Sequence, residues 1–160
     1  MELSVGSVFS KIEQERGSIA RIHNAFSEFP QGMLAHYEFY KSIMLANRLP
    51  LPRQEREYLA YRVSQHNACP YCVAHHQQAL DFHSATPLKE NQQVVLDQLA
   101  LAMSLKPWVA HTQRDSFMSA GFTEAQWQHA VMVCSYFCLA NRCALAMNLE
   151  LEDDYSRSCR

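Results

Sequence analysis

Residues 56–76 read R-E-Y-L-A-Y-R-V-S-Q-H-N-A-C-P-Y-C-V-A-H-H, and whether the two cysteines follow a strand or a helix decides the fold. The segment before them is polar on one side at helical spacing, and Pro52 suits the first turn of a helix that runs to residue 67 or 68. Pro70 fits the first position of a second helix. Cys69 then becomes its N-cap and Cys72 its third residue, with an end near residue 82. With only Asn67 and Ala68 to turn the chain, the two helices fold back as an antiparallel hairpin.

Helical punctuation extends outward from this hairpin. The chain holds only four glycines, and its prolines fall where segments start or stop. Helices are predicted over residues 7–29, 31–47, 90–105 and 109–119. In the second of these Met33, Leu34, Tyr37, Tyr40, Met44 and Leu45 recur at spacings of three and four. Thr123 and Gln126 form a T-x-x-Q capping box that opens a long last helix to about residue 148. No strand-like alternation persists, so the fold class is all-α, a bundle of six to seven helices. The charged tail, residues 150–160, is expected to fray.

At 160 residues and 48% hydrophobic composition the chain makes one domain, residues 1–160. Fourteen basic and 16 acidic side chains, with no basic stripe or polybasic cluster, argue against nucleic acid and anionic lipid as partners. The N-terminus has an early acid and no continuous apolar run, unlike a secretory signal. The most apolar later run, residues 130–140, is too short to span a bilayer, so no membrane is expected. Six cysteines at 69, 72, 134, 138, 143 and 159, without an export signal, suit a reducing, cytoplasmic setting in which a close pair signals metal or redox chemistry.

At about 100° per residue, positions 69, 72 and 76 share one helix face, which makes His76 a common neighbour of both sulfurs, whereas His75 is rotated away from Cys69. A helix N-terminus and an imidazole both favour thiolate. The first acts most directly on Cys69 and the second on Cys72, which leaves the attacking sulfur open. Glu57 lies as far before the turn as His76 lies after it to within roughly 3 Å of rise, so its carboxylate can hold the imidazole. Its bland alternative is an ion pair with Arg53, one turn earlier. Zinc would find two ligands in C-x-x-C and a third in His75 or His76, but no second ligand pair is present. The tetrapeptide C-P-Y-C also occurs in glutaredoxins, yet their motif follows a strand, which this segment is not.

The whole stretch 56–76 resembles the core motif of the alkylhydroperoxidase D (AhpD)-like group within the carboxymuconolactone decarboxylase superfamily, with the close match covering about residues 52–82. In that group a glutamate precedes C-x-x-C by twelve residues and a histidine follows the second cysteine by four. Glu57, Cys69, Cys72 and His76 occupy these four places. The resemblance implies an AhpD-like bundle and a thiol-dependent peroxidase acting on hydrogen peroxide or organic hydroperoxides. Cys72 would attack, Cys69 would resolve, and His76 and Glu57 would relay protons. It implies no cofactor, a dithiol reductant protein or a peroxiredoxin as partner, and a homo-oligomer, commonly a trimer or hexamer. Tyr71 stands where well-known members carry a second histidine. A disulfide oxidoreductase that serves a peroxiredoxin, the superfamily's lactone decarboxylase chemistry, which lacks the cysteine pair, and a zinc-binding module are the alternatives.

The remaining candidates read as structure. Cys134, Cys138 and Cys143 fill the core, Trp127, Tyr136, Phe137 and Met147 pack there or at a subunit interface, His66 and His75 sit at helix rims, and Cys159 is an exposed thiol.

Overall fold

The computed structural model describes residues 4–155, and no strand occurs among them. The helical hairpin is present: α4 (Arg53–His66) and α5 (Pro70–His83) are joined by Asn67, Ala68 and the N-cap Cys69, with Pro70 at the first helical position. α6 (Glu90–Leu105) and α8 (Glu124–Ala146) complete the central layer, and both pack on α4. Leu59, Val63, Leu96, Leu99, Phe117, Val133 and Phe137 fill the space between them. α8 begins with the expected capping box, in which Gln126 N–H donates to Thr123 Oγ1 and Thr123 N–H donates to Gln126 Oε1 at 2.8 Å. Its 23 residues are long and apolar enough to cross a bilayer by length and composition, and more than half of its apolar window is buried here as core.

Three predicted boundaries change. The helix expected over residues 7–29 divides into α1 (Val5–Arg16) and the single turn α2 (Arg21–Asn24). The break is at Gly17, whose φ of 77° is a left-handed C-cap and whose N–H closes on Glu13 O at 2.7 Å. The helix expected over 31–47 is α3 (Pro30–Tyr40) continued by a π-turn, Lys41–Leu45, closed by Ala46 N–H on Lys41 O. The wider turn leaves carbonyls that side chains use: Ile43 O accepts from His129 Nε2 at 2.8 Å, and Met44 O accepts from Arg53 and Arg56. The helix expected over 109–119 is a 3₁₀ segment, Pro107–Gln113, running into α7 (Arg114–Ser119).

α1 and α3 pair through a small core of their own, Val8, Ile12, Met33 and Tyr37, beside the main one. A third cluster, Cys69, Tyr71, Cys72 and Ala144 with Ile22 and Leu149 against it, sits where α5 begins and α8 ends.

Candidate active site

The turn that delivers the cysteines is held from behind. Ala68 adopts φ 53°, a left-handed conformation that disfavours a side chain, so its surroundings must hold it. Cys69 N–H donates to Ser64 O at 3.0 Å. The Asn67 amide donates to Asn141 Oδ1 at 2.9 Å, and Asn141 donates to Ser64 Oγ at 3.0 Å. Asn141, fully buried on α8, thereby fastens the hairpin turn to the last helix.

Glu57 is fully buried and engages both candidate partners. His76 Nδ1 donates to its Oε2 at 2.7 Å and Arg53 Nε to its Oε1 at 2.6 Å. Burial opposes the carboxylate's charge, but His76 and Arg53 outweigh it, and the pKa of Glu57 falls below its ordinary value. Because a carboxylate only accepts, Nδ1 carries the proton of the imidazole and Nε2 is left to exchange one. The edge-on ring of Phe137, 4.3 Å between centroids, braces the imidazole.

Cys69 and Cys72 are buried free thiols. The Cys72 thiol donates toward Cys69, and this lowers the Cys69 pKa to about 7 against the cost of burial; the N–H groups of Cys72 and Tyr71 add to the effect. The same hydrogen bond, with burial, pushes Cys72 up, while Asn141 pulls it down. The pair therefore loses one proton readily and holds the second.

A cavity of about 70 Å³ opens beside this pair. Cys72, His76 and Glu57 line it and Cys69 does not. Its remaining wall brings in Arg16, His23, His36 and Tyr40 from α1 to α3.

Sequence reasoning missed Glu152. Residues 150–155, in the segment expected to fray, lie across the start of α5, and Glu152 holds three donors there. Arg21 N–H and Tyr71 OH donate to its Oε1 at 2.6 and 2.9 Å, and His75 Nε2 to its Oε2 at 2.9 Å. Burial raises its pKa, but His75 and the N–H groups of Arg21 and of Glu152 itself override it and leave it at about 2. His75 is thus no idle rim residue: it lines the cavity and is tied to the strap. Nothing in the local pattern around Glu152 marks it, because its partners are 77 to 131 residues away.

Cys134 and Cys138 are buried in the main core and Cys143 is half-buried. Trp127, Tyr136 and Phe137 are buried, whereas Met147 is 45% exposed. His66 ends α4, half-buried. Cys159 lies outside the described residues. Among the described residues no three of His, Cys, Asp and Glu gather into a metal-holding group.

No protein-family model and no curated protein matches the chain. Solved structures do. An uncharacterized peroxidase-related protein from Silicibacter sp. TM1040 aligns over 100% of this chain and 95% of its own, at 22% identity and TM-score 0.79. An uncharacterized peroxidase-related protein from Ralstonia eutropha JMP134, described as an alkylhydroperoxidase AhpD core, aligns over 98% and 89% at 19% identity and TM-score 0.82. The debrominase Bmp8 aligns over 97% and 89% at 18% identity and TM-score 0.72. The fold is therefore all-α and AhpD-like.

Proposed function

We propose that the protein is a thiol-dependent peroxidase that reduces hydrogen peroxide or a small organic hydroperoxide through a Cys72–Cys69 dithiol/disulfide cycle. The observation that carries this reading is the position of Cys72 on the cavity, with His76 beside it on the same wall and Glu57 behind His76. The proton on the Cys72 thiol passes to His76 Nε2, and the sulfur attacks the distal oxygen of the peroxide. The O–O bond breaks, and the leaving alkoxide takes the proton back and departs as alcohol, or as water from hydrogen peroxide. Cys72 is then a sulfenic acid. Cys69, the thiol with the lowered pKa, attacks its sulfur and closes the disulfide, and hydroxide leaves as water. A cellular dithiol supplies two electrons and two protons to reopen it. The balance is two thiols and one hydroperoxide consumed, one disulfide, one alcohol and one water formed.

The roles suit the two environments. The sulfur that meets an oxidant needs access, which Cys72 has through the cavity. The sulfur that resolves attacks as a thiolate, a form that the backbone N–H groups at the helix start favour at Cys69. Glu57, which reaches the sulfur only through His76, is a positioning residue. We propose further that the chain works as a homo-oligomer, a trimer or hexamer. Support comes from the apolar side chains left outside the bundle on α6 and the following turn, Leu101, Leu105 and Trp108.

The test is mass spectrometry of thiols after one equivalent of hydroperoxide. Wild type is expected to form a Cys69–Cys72 disulfide, Cys72→Ser to remain unoxidised at the pair, and Cys69→Ser to hold a dimedone-reactive sulfenic acid at Cys72. Exchanged behaviour of the two variants would reverse the roles. An inert wild type that nevertheless reduces a partner's disulfide would make the protein a disulfide oxidoreductase instead.

A further inference from the structure

Asn141 lies in the middle of α8, fully buried, and both ends of its amide are in use. Nitrogen and oxygen have the same outline in such an amide, so its neighbours must decide which end is which. Here they do. Ser64 Oγ–H donates to Ala60 O at 2.7 Å, and a carbonyl only accepts, so the Ser64 oxygen receives from Asn141. Asn141 Nδ2 is therefore the donor to Ser64, at 3.0 Å, and Oδ1 accepts from the Asn67 amide at 2.9 Å.

An amide nitrogen carries two N–H bonds, and Ser64 takes one. The second serves Cys72. Ala140, the preceding residue on α8, lines the cavity together with Cys72, and Ala144, almost one turn on, packs against Cys69, Tyr71 and Cys72. Asn141 stands between these two positions, and its amide hydrogen-bonds the Cys72 thiol in the sense that favours thiolate.

A charge at Cys72 has few other supports. Cys69 and burial push the Cys72 pKa up, and Cys143 of α8 adds to the push. The N–H groups of Cys72 and Tyr71 at the start of α5 act on Cys69 instead. Tyr71 and Tyr136 also face the sulfur, but the Tyr71 hydroxyl donates to Glu152 and that of Tyr136 is paired with His36. His76, on the same cavity wall and backed by Glu57, can take the proton, and the negative charge then stays on sulfur.

We propose that Asn141 is a further catalytic residue, whose second amide N–H donates to the sulfur of Cys72 and holds the charge that forms there as His76 takes the proton. This rests on the peroxidase reading above and deepens it at the nucleophile. The balance of the step is unchanged: the thiol proton goes to His76 Nε2, the sulfur electron pair goes to the distal oxygen, and the Asn141 N–H is neither lost nor gained. Because Asn67 and Ser64 fix the amide from the other side, the donor is in place before a peroxide arrives and needs no reorganisation.

The assignment is tested at Cys72 without turnover, in a Cys69→Ser background. The pH dependence of alkylation at Cys72 is read by mass spectrometry with Asn141 present and in Asn141→Ala. Loss of a hydrogen bond to a charged group is expected to move the midpoint up by about 1 to 2 pH units. Oxidation of Cys72 by hydrogen peroxide at neutral pH should slow by about 3- to 10-fold, since the more basic thiolate that remains is the better nucleophile. Ser64→Ala removes a bond from the same network and leaves the N–H on Cys72, so it should lower the urea midpoint and keep the alkylation midpoint where it was. An unmoved midpoint in Asn141→Ala, or an equal shift in Ser64→Ala, overturns the proposal. If Asn141→Ala does not fold, the side-chain amide signals of Asn141 in the Cys69→Ser chain decide. One Nδ2 proton is expected to shift over the pH range in which Cys72 alkylation rises, while the other, held by Ser64, stays; two protons that both ignore that rise overturn the proposal. If the midpoint moves as expected while the wild-type chain leaves hydroperoxides intact, the peroxidase reading falls and the Asn141 donor to Cys72 stands. If hydroperoxides are reduced and the midpoint does not move, only the donor falls.

Discussion

The hairpin that carries the thiols is knit over short stretches of chain, and the shell over the same cavity is knit from its two ends. Glu57 meets Arg53 four residues away and His76 nineteen away. Glu152 meets Tyr71, 81 residues off, and the backbone of Arg21, 131 off. The reacting groups and their charges are therefore fixed by two adjacent helices. Access to the cavity depends on α1 to α3, which have a small separate core, and on the strap at residues 150–155, tied on by Glu152. Damage to the hairpin should cost stability and chemistry together, and damage to the shell should leave the hairpin standing.

The largest effect is expected at Glu57. In Glu57→Ala the Arg53 and His76 partners lose the carboxylate they share, in a place where Glu57 was fully buried. Removing one member of a buried charged set costs about 3–5 kcal/mol, a large part of the stability of a domain. Urea unfolding of wild type and variant measures it. A loss below about 1 kcal/mol would mean that the network orients His76 without supporting the fold, and the contrast between hairpin and shell would weaken.

This locality is also why the hairpin could be read from the sequence and the shell could not. Proline at the first turn, two connecting residues and a helical repeat determine where Glu57, Cys69, Cys72 and His76 lie relative to one another, and the structure sets Glu57 against His76 at 2.7 Å. The sequence left the choice between Arg53 and His76 open, and the structure shows that Glu57 serves both, one oxygen to each. The break at Gly17 is marked by a basic residue followed by glycine, a helix-ending signal masked by Ile19, Ile22 and Phe26, which recur after it at helical spacing. The π-turn at Lys41–Leu45 gives no such mark, since its carbonyls are engaged by Arg53 and Arg56 of α4 and by His129 of α8. Glu152 reads as one more charge in an acidic tail until α2 and α5 are beside it.

A middle-sized effect is expected from Glu152→Gln, and pH separates it from other sources. The folded pKa of Glu152, about 2, lies below the ordinary glutamate value of 4.5. Its stabilisation is therefore fully present above 4.5 and is lost as pH falls toward 2. His23 and His36, lowered from 6.5 to about 3 and about 4, begin to withdraw theirs already below 6.5. Glu152→Gln should therefore keep the decline that starts below 6.5 and flatten the one below 4.5. Parallel acid-unfolding curves for the two proteins would show that the strap is not held by this carboxylate.

The smallest effect sharpens the contrast from the other side. Gly17 ends α1 at φ 77° in open space, with no atom near enough to obstruct an added methyl group. Gly17→Ala therefore changes backbone strain and little else, a cost of about 1 kcal/mol and a fall of about 2–4 °C in Tm for a chain of this length. Because α1 shares its small core with α3 rather than with the hairpin, the strain should appear first as faster amide exchange at Val8, Ile12, Met33 and Tyr37. Arg16, next to the strained residue, lines the cavity, so the reactivity of Cys72 toward a bulky alkylating reagent should rise as α1 loosens. The exchange of Leu59 and Val63 in α4 should stay as it was. Equal acceleration in α4 would mean that shell and hairpin open as one cooperative unit, and cavity access would then be inseparable from global unfolding.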